Sequence, residues 1–170
     1  RCLQDAGLSL DFWIYHTQLS EMEKIAMTLP ELSIILNHIG GPIHLGEYEG
    51  KQALTHREWR KAMMRLSRLP NIKVKLGGLG MKVNGAKFHL NHNPPNSSQL
   101  ADIWKSWIYE TIDMFGVERC MFESNFPVDK GSCSYGSLWN AFKIISENMS
   151  DNEKNKLFYE NAAKTYKIKL

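Results

Sequence analysis

The feature that most constrains this chain is an alternation. Short apolar runs rich in branched and aromatic residues are each followed by a segment with apolar residues at i, i+3 and i+4. The first pattern suits a strand and the second a helix with one buried stripe. Residues 8–14, 32–37, 72–76 and 119–122 are the expected strands. Strands that alternate with helices in this way imply a parallel sheet with right-handed crossovers. Four such units make half of an eight-stranded barrel or a small open doubly wound sheet.

The helices follow from the same reading. Ser20 and Glu23 form a capping box ahead of Met22, Ile25, Ala26 and Leu29, and Pro30 stops that helix. Thr55 and Glu58 form a second box, with Trp59, Ala62, Met63 and Leu66 facing inward. Ser97 or Ser98 opens a third helix carrying Leu100, Ile103, Trp104, Trp107, Ile108, Ile112 and Phe115, closed by Gly116. Leu138, Trp139, Phe142 and Ile145 mark a fourth. Ser150 and Glu153 cap a terminal helix that turns Leu157, Phe158, Ala162 and Tyr166 inward.

Composition narrows the class. A length of 170 residues with 43% hydrophobic and 23% charged content suits one soluble domain with a real core. The net charge of +3 comes from Lys and Arg spread along the chain, which reads as a solvated surface and not a nucleic-acid footprint. No apolar run approaches the roughly 18 residues of a membrane span. Cys2, Cys120 and Cys133 are odd in number and lack C-x-x-C spacing. Reduced thiols and a cytoplasmic setting are therefore expected. The start, Arg1-Cys2-Leu3-Gln4, has neither an initiator Met nor a signal pattern, so the chain is expected to begin inside a longer protein.

In parallel α/β proteins the side chains that do chemistry sit where a strand stops. All four expected strands end in polar groups: Tyr15-His16, Asn37-His38-Ile39-Gly40-Gly41-Pro42, Lys75-Leu76-Gly77-Gly78, and Glu123-Ser124-Asn125-Phe126-Pro127-Val128-Asp129. Lys75 is a candidate to meet an anionic substrate, against a plainer reading as a surface lysine. Ser124 lies in the same polar zone and is a candidate to bind substrate; with neither a paired histidine nor the glycines of a nucleophile elbow, it does not read as a nucleophile. Residues 77–96 form a long Gly- and Pro-containing loop of the kind that serves as a lid. His89 and His92 on it could reach the strand ends, as a weak metal signal.

These four motifs, in this order, resemble the second half of the amidohydrolase-related TIM-barrel hydrolases, nearest the sugar-lactone and pyrone-dicarboxylate lactonases. The ending Tyr159-Glu160-Asn161-Ala162-Ala163-Lys164-Thr165-Tyr166 is similar to that family's closing helix. The resemblance covers the whole chain and implies one barrel domain, truncated on its N-terminal side. It implies a hydrolase that opens a lactone or related cyclic ester by water attack at a carbonyl. Residue by residue, it places His16 as a metal ligand and His38 as the group that binds metal or polarises the scissile carbonyl. Asn125 falls where the family usually has the aspartate that takes a proton from water. An amide has no basic lone pair at neutral pH, so Asn125 can orient a water but cannot be its base. Asp129 or Glu123 could supply the missing carboxylate, although neither is at the matching position.

The family's His-x-His pair is absent from this chain. A divalent site needs about three or four protein ligands, and His16 with His38 supplies two. The resemblance therefore implies zinc or manganese in a full-length parent, with this chain alone metal-free or weakly binding. The expected partner is a small-molecule substrate, with no nucleic acid and no membrane. A half-barrel with open edges is also expected to form a homo-oligomer or to occur with its other half. The alternative readings are a catalytically inactive barrel used for binding or assembly, and a decarboxylase on the same scaffold.

Overall fold

A computed structural model describes residues 1–169, the side chain of His89 excepted. After a short α1 (Cys2–Asp5) come β1 (Ser9–Phe12), α2 (Leu19–Thr28), β2 (Ser33–Leu36), α3 (Gln52–Leu66), β3 (Ile72–Leu76), α4 (Ser97–Phe115), β4 (Cys120–Phe122) and α5 (Tyr135–Ile145). Then α6 (Asp151–Asn155), a π turn (Lys156–Glu160) and α7 (Asn161–Tyr166) follow. The strands form one four-stranded sheet in the order β1-β2-β3-β4, and every pair is parallel. This is the expected α/β half-barrel pattern, with each crossover supplied by a helix.

One face of the sheet is dry. Ile34 and Leu36 of β2, Ile72, Val74 and Leu76 of β3, and Cys120 and Phe122 of β4 join the main hydrophobic cluster with Met22, Trp59, Met63, Trp104, Ile108 and Phe142. The other face carries Asp11, Ile35, Lys73, Lys75 and Met121, as the pleat and the register Asp11↔Ile35↔Lys73 and Lys75↔Met121 require. Ile35 and Met121 are buried there, yet stand apart from the main cluster.

The C-terminal segment runs from the dry face, round the β4 edge, to the polar face. Phe158 packs on Phe122 and Trp139. Asn161 then donates its side-chain N–H groups to the carbonyls of Val117 and Cys120, both at 2.7 Å, blunting the outer edge of β4. Beyond it, Thr165 accepts from Lys73 Nζ at 2.9 Å, and the Tyr166 hydroxyl donates to Asp11 at 3.0 Å. Lys167 reaches the carbonyl of Gly7 at 3.1 Å. α7 therefore crosses the polar face of the sheet from its last strand to its first.

Two expected capping boxes are corrected. α2 begins at Leu19, ahead of Ser20, and the turn before it is closed by Gln18, whose Oε1 accepts the Tyr15 N–H at 3.1 Å while its own N–H donates to the Tyr15 carbonyl at 2.8 Å. α3 begins at Gln52, which puts Thr55 inside the helix, where its hydroxyl donates to Ile43 O at 2.9 Å. The box at Ser150 and Glu153 forms as expected. So does the stop of α4 at Gly116, whose φ is 77°. β1 ends at Phe12, two residues before the expected limit. Ile103, expected inward, is half exposed. No helix among the described residues is long and apolar enough to cross a membrane. The three cysteines are unpaired.

Candidate active site

The polar groups at the ends of β2, β3 and β4 converge. His38 follows β2 in a left-handed backbone conformation, φ 55°. Its amide N–H donates to Glu123 Oε1 at 3.0 Å, and its ring Nδ1 contacts the same oxygen. The ring stands edge-on to Trp13, with centroids 4.5 Å apart. Nε2 has no protein partner and is not among the solvent-excluded polar atoms, so it faces the open side of the site. Gly78 makes this packing feasible: at φ +68° it lies so close that a Cβ would sit 2.5 Å from the His38 ring.

Glu123 is the residue immediately after β4. By alternation with Met121, which is level with Lys75, it falls on the polar face. Lys75 Nζ lies 4.0 Å from Glu123 and 3.0 Å from Asp11, and sits over the Tyr166 ring. Burial opposes the lysine's charge, but the Tyr166 hydroxyl, Asp11 and Glu123 outweigh it and hold the ammonium above the usual lysine range. With its side chain only 17% exposed, Lys75 is a built-in cation and not a surface lysine.

Asn125 is left-handed as well, φ 51°. Its amide donates to Asp129 Oδ1 at 2.9 Å, and Gly80 N–H donates to Oδ2 at 3.2 Å. Asp129 is fully buried, and burial pushes its carboxyl up to about 6, against the pull of those two donors. A carboxylate closed off from solvent cannot meet a substrate directly. It acts on the site by fixing Asn125. Ser124 accepts from the Phe126 N–H at 3.3 Å and so braces the turn.

His16 lies elsewhere. It opens the turn after β1, is buried, and packs edge-on against Tyr48. Nδ1 accepts the Ile43 N–H at 3.2 Å, so the neutral ring carries its proton on Nε2, which points toward Glu58 Oε2 at 3.7 Å. Burial lowers its basicity further. The cleft beside it is lined by Thr17, Ser20, Glu58, Lys61 and Arg65, between α2 and α3 and away from His38. Nε2 is buried without a hydrogen-bond partner, and Glu58 is the acidic group beside it; these two donors fall short of the three or four ligands a divalent ion needs. Among the described residues no three His, Cys, Asp or Glu groups gather to hold a metal. His92 is exposed and bonds weakly to Asn93, and the side chain of His89 lies outside the described residues.

Glu123 is the site residue that sequence reasoning undervalued. The signal was present: one step past the strand, on the face of Met121 and Lys75. No motif marks Trp13 or Asp11, a strand-end tryptophan and a strand aspartate.

A parallel sheet with polar groups at the C-terminal ends of its strands is the α/β arrangement shared by (β/α)-barrel and open doubly wound proteins. The family model described as Amidohydrolase matches residues 1–168, and the chain belongs to that family. An uncharacterized protein, y4mH, of Sinorhizobium fredii is 39% identical over 95% of this chain and 48% of its own length. L-fucono-1,5-lactonase of Burkholderia multivorans is 25% identical, over 98% of this chain and 53% of its own length. The crystal structure of an amidohydrolase from Burkholderia multivorans with bound zinc superposes with a TM-score of 0.82 at 23% identity. That match covers 98% of this chain and 55% of the other. The chain thus spans about half the length of the curated relatives it matches.

Proposed function

We propose that this chain forms the C-terminal half of a single-domain hydrolase that opens a lactone or related cyclic ester. The observation that carries this reading is the convergence of His38 and Lys75 on Glu123 at the ends of adjoining strands, with His38 Nε2 free and Asn125 two residues beyond Glu123. The lactonase relative supports the choice of substrate class. Water attacks the ring carbonyl, His38 polarises that carbonyl or moves the proton, and Asn125, held by Asp129, orients the water. Lys75 offers positive charge to an anionic group of the substrate. A divalent metal belongs to this reading only with ligands from beyond these 170 residues. The cytoplasmic setting expected from the cysteines is part of the same reading.

The test is turnover of a lactone panel by the full-length parent, with and without added zinc or manganese. His38→Ala and Asn125→Ala should each lower kcat by roughly a hundredfold or more. Turnover that survives the double variant would remove both residues from the mechanism. A catalytically silent barrel is the second reading, favoured by the closed-off Asp129 and the non-basic Asn125. It predicts no turnover of any lactone under either metal condition.

A further inference from the structure

We infer that Glu123 is a positioning residue that makes His38 the general base of the site. This deepens the proposed hydrolase reading and rests on it for the substrate, though not for the geometry. The chain has Asn125 where a base would stand, and its nearest carboxylate, Asp129, is closed off from solvent. Glu123 lies on the polar face with its Oε1 against both the amide and the Nδ1 of one imidazole. A carboxylate accepts and does not donate, so this contact puts the neutral ring's proton on Nδ1 and leaves the lone pair on Nε2. That is the nitrogen without a protein partner.

Three surroundings hold the pair rigid. Trp13 stands against the ring, Gly78 backs it, and Gly77 backs Glu123, where a Cβ would sit 2.5 Å from the Glu123 Cγ methylene. Lys75, 4.0 Å away, balances the charge of Glu123.

The step balances as follows. Nε2 takes a proton from water as the water oxygen bonds to the carbonyl carbon, and the C=O π pair moves to the carbonyl oxygen. Collapse of the tetrahedral intermediate restores the C=O and breaks the ring C–O bond. The Nε2 proton passes to the departing ring oxygen, giving the hydroxy acid and regenerating the neutral imidazole. Glu123 exchanges no proton with the substrate and never touches it.

The experiment is long-range 1H–15N NMR of the histidine rings in the intact protein without substrate, with His38 assigned by its loss in His38→Gln. The expected result is protonation on Nδ1 in the wild type. Glu123→Ala should shift it toward the Nε2-protonated form, and Glu123→Gln, which keeps an acceptor, should retain Nδ1 protonation. In kinetics on a lactone that the wild type turns over, Glu123→Gln should lower kcat by about ten- to a hundredfold with KM little changed. A wild-type ring protonated on Nε2, or a tautomer unmoved by Glu123→Ala, would overturn the inference whether or not any lactone is turned over. The wild-type spectrum decides this even if Glu123→Ala fails to fold. Failure of the lactone panel alongside the expected spectra would sink the substrate reading and leave the pairing of Glu123 with His38 standing.

Discussion

Asn125 reads at first as a defective aspartate, but its neighbour gives it a different role. Its amide N–H meets a buried carboxyl whose proton is held up to about pH 6. The sign of the linkage follows from that displacement. The native state keeps a proton on Asp129 well above the ordinary value of 3.8, so the stabilising contribution is full at low pH and is lost as pH rises through about 6. Across pH 4 to 7 the wild type should lose up to about 3 kcal/mol relative to Asp129→Asn, read by urea unfolding at each pH. Asn125→Asp would set a second carboxyl against the first. Two carboxyls in contact share one proton, so that variant should be less stable than wild type by roughly 2 kcal/mol at pH 7.5. Equal stability there would mean that the 125–129 hydrogen bond is not formed in solution.

At the scale of elements, the strand–helix units were legible because each rests on local periodicity. The hydrophobic faces of α3 and α4 fall where Trp59, Met63, Trp104 and Ile108 put them. Caps were less legible, because Thr55 and Ser20 satisfy a local pattern that distant partners override. The hydroxyl of Thr55 ties α3 to the loop after β2, a contact no local spacing announces. In the site, Glu123 could be read from alternation. The burial of Asp129 could not, since it depends on Gly80, 49 residues away. The terminal segment shows the same dependence on distant partners. Asn161 caps two carbonyls beside the edge strand, and Asn161→Ala leaves both without their donor. The expected loss is about 2 kcal/mol in urea unfolding, with faster aggregation as the β4 edge is uncovered.

At the scale of the whole molecule, the two sheet edges differ. β4 is shielded by the segment around Asn161, whereas β1 pairs only with β2 among the described residues. Leu8, Trp13 and Tyr15 flank that open strand and are exposed. The 170-residue chain on its own should therefore self-associate through β1, giving a light-scattering mass above that of one chain. A clean monomer at high concentration would show that the first strand needs no further cover.

The clasp between Tyr166 and Asp11 joins residues 155 positions apart. β1 thus receives one of its restraints from a residue far along the chain. Distant pairings of this kind slow folding, because a long loop must close before the contact repays its entropy. β1 should be the last strand to gain protection during refolding.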